Sequence, residues 1–139
     1  MSGIAERPMT ARTTTPNKQT LNSRQRARLR GHLAGDREQT RLVIERTAGE
    51  LDAFVSARYD APTDDENDPE GPTLAFERSQ ASAMLRQSEQ HLQDIDAALV
   101  RMDQGTYGLC TKCGGEIALG RLQVRPQASL CIRCAEHVR

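Results

Sequence analysis

The sequence predicts a mainly α-helical protein: a long antiparallel helical hairpin of coiled-coil type with a small four-cysteine module at its base. Three observations carry this expectation. Apolar residues recur at helical spacing through two long segments, a proline- and acid-rich break separates them, and two C-x2-C pairs follow the second segment. The chain has 139 residues, with 37% hydrophobic and only 3% aromatic content, which is thin for one globular core and favours an elongated shape.

Residues 1–20 contain Pro8, Pro16 and three consecutive threonines without periodicity, and read as a disordered N-terminal arm. The pattern changes at Leu21, where the predicted hairpin of residues 21–104 begins. Asn22 followed three residues later by Gln25 forms a capping-box signature, and no proline interrupts the segment from there to Arg58. Apolar side chains return at Leu29, Leu33, Val43 with Ile44, Leu51, and Phe54 with Val55, which predicts a first helix about 55 Å long.

The second helix has a clearer stripe. Alternating steps of four and three from Leu74 reach Arg78, Ala81, Leu85, Ser88, Leu92, Ile95, Leu99 and Met102, so seven of nine positions are apolar. That is the seam of a coiled coil, and Gly105 follows as a left-handed terminator. A turn centred near Glu66 would set Leu33 opposite Leu99, Leu51 opposite Ala81 and Phe54 opposite Arg78, with Asp36, Thr40 and Ser88 interrupting the seam midway. Pairing within one chain is expected over a parallel homodimer, which would press two acidic segments together. The protein is therefore expected to be a monomer.

The net charge is zero, but its distribution is polar along the chain. Residues 1–30 hold seven basic side chains against Glu6, a net of +6, whereas residues 60–72 hold six acids and no base. The hairpin tip, residues 59–73, thus presents crowded carboxylates about 45 Å from the cysteines. Such groups cannot be buried cheaply and must face water or a cation.

Cys110, Cys113, Cys131 and Cys134 are the only cysteines, set as C-x2-C, a 17-residue gap and C-x2-C within residues 105–139. This is the paired-knuckle spacing of a structural zinc site, expected to hold one Zn²⁺ in a closed tetrahedron of thiolates, with Gly114 and Gly115 allowing the chain to turn after the first pair. His137 is an alternative ligand made unnecessary by the four thiolates. A disulfide framework would need an oxidising compartment, and no apolar run suits a secretory signal or a membrane span, so a cytoplasmic protein without membrane association is expected.

The acidic-tipped hairpin and the segment GTYGLCTKCGGEIALGRLQVRPQASLCIRC together resemble the DksA/TraR family of bacterial zinc-finger regulators of RNA polymerase. Tyr107, Gly108, the four cysteines, Gly114, Ile117, Arg121, Leu122, Arg125 and Pro126 carry the likeness. The resemblance implies a transcription regulator that inserts its coiled coil into the secondary channel of RNA polymerase and modulates promoter complexes, in many members together with the alarmone ppGpp. It also implies that Asp65, Asp68 and Glu70 are the modulating tip acids. Asp65 and Asp68 keep the family's Asp-x-x-Asp step, whereas Glu70 stands where alanine is usual, and gap-free alignment from the cysteines points instead to Asn67 and Glu70.

The competing reading is a nucleic-acid-binding or protein-interaction zinc module without channel activity. The cysteine segment, however, carries little excess positive charge and only Tyr107 as an aromatic, so sequence-specific DNA binding is not expected. An enzyme is not expected either. His32, His91 and His137 lie on separate predicted elements, His32 and His91 reading as surface or boundary residues, and the sequence has no phosphate loop or nucleophile elbow.

Overall fold

A computed structural model describes residues 21–60 and 71–138 of the chain, with side chains described to Ala57 in the first segment. Two long helices, α1 (Ser23–Asp60) and α2 (Gly71–Gln104), pack along each other as an antiparallel hairpin. Two short helices, α3 (Leu119–Val124) and α4 (Ile132–Glu136), belong to the cysteine module that follows. The expected arm and the tip acids Asp65, Asp68 and Glu70 lie outside the described residues.

α1 starts where its capping signature predicts. The Asn22 backbone N–H donates to Gln25 Oε1 at 3.1 Å and the Gln25 N–H donates to Asn22 Oδ1 at 2.8 Å, so each of these two backbone donors is satisfied by the other residue's side-chain oxygen. At the other end of the hairpin the helices are longer than expected. α1 continues to Asp60 and α2 already begins at Gly71, which narrows the break expected over residues 59–73. Pro72 is tolerated there because a first-turn residue needs no N–H donor and the ring's φ already suits a helix.

Register follows from two ion pairs between the helices. Arg30 Nη2 lies 2.8 Å from Asp103 Oδ1, and Arg37 Nε lies 2.6 Å from Asp96 Oδ1; both pairs are symmetric about a point between residues 66 and 67. This agrees with the register expected from a turn near Glu66. The side chains are 38–67% exposed, so the pairs specify alignment more than they stabilise it.

Packing is uneven along the rod. From Ala81 to Met102 the expected seam positions are buried or half-buried, whereas every residue from Gly71 to Gln80 is exposed, Leu74 and Arg78 included. Two helices cover only a narrow stripe of each other. The largest buried side chains, Leu33 and Ile95 of the hairpin with Ile117 and Leu122 of the cysteine module, gather at the base. Leu21, Leu29, Ala98, Met102, Tyr107 and Cys110 complete the same cluster. The hairpin base and the module therefore share one core.

Above that core the seam is polar. Thr40 is buried, with its hydroxyl 3.4 Å from Asp36 Oδ1, and the other Asp36 oxygen meets His91 Nε2 at 2.8 Å. His91 is thus an interhelical partner. Thr47, which the apolar pattern passes over, is among the most buried side chains at 2% exposure, and among the described residues its hydroxyl reaches only Met84 Sδ, at 4.0 Å.

Candidate metal centre

The metal centre is built outward from the end of α2. Gly105 takes a φ of +76°, as a left-handed terminator should, and the N–H groups of Thr106 and Tyr107 both return to the Arg101 carbonyl, at 2.9 and 3.2 Å. The chain then runs back under the hairpin. The Tyr107 ring enters the shared core, and its hydroxyl donates to the Pro126 carbonyl at 2.9 Å. Burial pushes the Tyr107 hydroxyl pKa up to about 12, opposed by the neighbouring Arg101 guanidinium.

The first knuckle is a tight hairpin. Ile117 N–H donates to the Gly108 carbonyl at 2.8 Å, Leu109 and Glu116 form an isolated antiparallel bridge, and Cys110 N–H donates to Gly115 at 2.7 Å. Gly114 N–H closes the turn onto the Cys110 carbonyl at 2.9 Å with a φ of +72°, a conformation that favours glycine. Gly115 N–H points at Cys113 Sγ at 3.4 Å.

The second knuckle uses a helix. Cys131 is the N-cap of α4, which carries Cys134 one turn on, and the Ala135 N–H bonds the Cys131 carbonyl at 2.9 Å. Side-chain and backbone bonds hold the knuckles together. Thr111 donates to the Ser129 carbonyl from its N–H at 2.9 Å and from its hydroxyl at 3.2 Å, while Arg121 Nε donates to the Leu130 carbonyl at 3.1 Å. The Thr111–Ser129 clamp is a feature that residue spacing does not reveal, because it depends on how the 17-residue gap folds back.

All four sulfurs, from Cys110, Cys113, Cys131 and Cys134, lie within 4.8 Å of one another. Cys113 Sγ and Cys131 Sγ are 3.7 Å apart, far longer than a disulfide bond and close to the edge of about 3.8 Å in a tetrahedron with sulfurs about 2.3 Å from its centre. His137 stands outside this four-sulfur group. The donor set is soft and fourfold, which suits Zn²⁺ and leaves no position for a reacting water.

The electrostatics show why a cation suits the site. At Cys110 desolvation raises the thiol pKa, but hydrogen bonding from the backbone at Cys113, Cys131 and Lys112 outweighs it and brings the value down to about 6. The backbone at Cys134 likewise lowers Cys131. Cys134 moves the other way, to about 12, through burial and the crowding of the other sulfurs. Without a divalent ion, four thiolates cannot share this space; with one, their mutual repulsion becomes ligation.

Residues 105–137 match the prokaryotic dksA/traR C4-type zinc finger. A likeness extends well beyond the finger. The chain is 29% identical over 122 residues to the RNA polymerase-binding transcription factor DksA of Escherichia coli strain K12, covering 86% of this chain and 74% of that protein. DksA of Haemophilus influenzae is 35% identical over 71 residues, about half of each chain. An uncharacterised Aquifex aeolicus protein is 47% identical over 47 residues, and the matched region spans only 32% of its length. In three dimensions, transcription factor DksA2 from Pseudomonas aeruginosa superposes with a TM-score of 0.69 at 29% identity, covering 89% of this chain and 90% of the other.

Fold and site together define a helical hairpin carrying a four-cysteine zinc finger at its base. Residues 105–137 are a zinc finger of the dksA/traR C4 type, and the hairpin and finger together are similar in fold to DksA2.

Most residues that carry this likeness prove to be structural. Ile117 and Leu122 are buried in the common core, Gly108 holds a φ of +88° against Leu21 and Leu122, Tyr107 anchors to the Pro126 carbonyl, and Arg121 ties α3 to the second knuckle.

Proposed function

We propose that this protein is a transcription factor that binds RNA polymerase, entering its secondary channel with the hairpin so that Asp65, Asp68 and Glu70 modulate promoter complexes. The supporting observation is the extent of the likeness: not the finger alone but hairpin and finger together follow DksA2 over 89% of the chain. The E. coli relative, matched over 86% of this chain, is an RNA polymerase-binding transcription factor.

In this reading Cys110, Cys113, Cys131 and Cys134 hold one structural Zn²⁺. The ion fastens the finger, the finger supports the base of α1 and α2, and the hairpin carries the acidic segment outward. Carboxylates delivered beside a partner's bound cation or mobile loop would gain charge-assisted contacts that water alone does not supply.

Two experiments test the proposal separately. Replacing Cys131 by serine is expected to abolish stoichiometric zinc and lower thermal stability; a variant with unchanged metal content and melting temperature would refute the zinc assignment. Asp65→Asn, Asp68→Asn and Glu70→Gln combined are expected to leave polymerase binding nearly intact while removing the effect on transcription in a purified system. Equal loss of binding and effect would show that these acids anchor the protein and do not modulate the polymerase.

A further inference from the structure

The finger carries a groove that metal binding does not account for. Its volume of about 520 Å³ falls within the range of about 300–1,000 Å³ usual for ligand pockets, and residues of α3, the start of α4 and the first knuckle line it. Ala118, Val124 and Ile132 form its apolar part, and Arg121, Arg125 and Arg133 its basic part. Arg121, Val124 and Arg125 stand at i, i+3 and i+4, which puts them on one side of α3, while Leu122 is buried in the shared core.

Two properties of this groove are costly for a module that serves only to hold metal. Val124 is 81% exposed and Ile132 61%. Single exposed apolar residues are ordinary, but these two border one recess. The second property is charge. From Ile117 to Ala135 the chain holds three arginines and no acid, and all three border the groove. Arg121 commits its Nε to the Leu130 carbonyl, whereas Arg125 and Arg133 are exposed and form no ion pair among the described residues. Glu116, the one acid on the wall, does not neutralise them; its Oε1 is buried without a hydrogen-bond partner. Cys113 and Cys131 also border the groove, but their sulfurs converge with the other two on the metal position.

An apolar floor beside unpaired guanidinium groups is complementary to one kind of occupant. We propose that this groove docks a short acidic peptide segment of a partner protein, which lays a large apolar side chain over Val124 and Ile132 and sets carboxylates against Arg125 and Arg133. Guanidinium forks bind carboxylates through paired hydrogen bonds, and arginine stems cover apolar surface at the same time. Excluding water from Val124 and Ile132 supplies affinity, and the arginines select the charge of the segment.

Other occupants fit less well. A second copy paired about a twofold axis would bring the same three arginines towards one another. A nucleic-acid strand would meet no aromatic side chain on which to stack its bases, and its phosphates would gain nothing from Val124 and Ile132. Docking here requires no polymerase, and the test omits it.

The test is fluorescence anisotropy with the full-length, zinc-loaded protein and a short labelled peptide in which glutamates flank leucine and phenylalanine. Saturable binding is expected, weakening as salt rises. Val124→Ser/Ile132→Ser is expected to weaken it about tenfold or more through lost apolar burial, with the salt dependence kept. Arg125→Gln/Arg133→Gln is expected to weaken it about tenfold at low salt and to remove most of the salt dependence. Neither pair should alter zinc stoichiometry or circular dichroism, because all four side chains are exposed. Leu42→Ser and Arg41→Gln/Arg46→Gln, at exposed positions on α1, should bind the peptide as the parent does. No saturable binding up to about 1 mM peptide, equal affinity for a peptide with lysines in place of the glutamates, or unchanged affinity in either groove variant would overturn the proposal. Tighter binding of an oligothymidylate, or self-association of the parent that Val124→Ser/Ile132→Ser abolishes, would overturn it as well.

Discussion

Leu33→Ala tests whether the hairpin and the finger are one cooperative unit. Leu33 has 0% exposure and lies in the cluster that joins Leu29, Ile95 and Met102 of the hairpin to Tyr107, Ile117 and Leu122 of the finger. Truncation removes three carbons, worth about 2.4 kcal/mol at roughly 0.8 kcal/mol per buried methylene, and the cavity left behind raises the loss to about 3–4 kcal/mol. For a chain of this size that corresponds to a fall in melting temperature of about 10 °C. Thermal unfolding would be followed in parallel by helical circular dichroism and by release of zinc to a chromogenic chelator. In the parent the two transitions should coincide, and in Leu33→Ala both should move down together. Leu42→Ala, at a position 57% exposed, should change neither by more than about 0.5 kcal/mol. Earlier helix melting with zinc release unmoved would refute the common core, and a loss below about 1 kcal/mol would refute the burial of Leu33.

Two further perturbations address groups held in unusual surroundings. Because burial raises Tyr107 to about 12 from its ordinary 10, the folded protein holds this proton more tightly than the unfolded chain. The associated stability is fully present below about pH 10 and is lost as pH rises towards 12. In a Tyr59→Phe background the remaining tyrosine should ionise near pH 12 by absorbance at 295 nm, and ionisation near pH 10 would contradict the burial. Tyr107→Phe should remove the alkaline dependence and cost about 1–2 kcal/mol by leaving the Pro126 carbonyl without its donor. Thr47→Val should raise stability by about 1 kcal/mol, since the buried hydroxyl has only a distant sulfur as a recorded partner; a lowered urea midpoint at unchanged m-value would show that the hydroxyl is needed.

Parts of this protein are legible one residue type at a time. The spacing of four cysteines brings their sulfurs to one place because two residues between paired ligands permit a tight turn, whatever packs around it. The capping pair Asn22–Gln25 and the terminator Gly105 act within a single turn of backbone, so local sequence suffices to find them. The hairpin register is legible for another reason. The connection is short, and the apolar stripe allows few alignments of one helix against the other.

Tertiary structure decided where along the rod the packing is strong and what joins the rod to its foot. Periodicity treats Leu74 and Leu99 alike, yet Leu74 is exposed while Leu99 packs against the shared core, because only at the base does the finger add a third wall. The same three-dimensional context turns His91 into a partner for Asp36 across the helices, buries Thr47 in the seam between them, and folds Thr111 onto Ser129. Spacing along the chain specifies which atoms can meet locally. Which distant surfaces exclude water together depends on the volume and shape of all the elements at once.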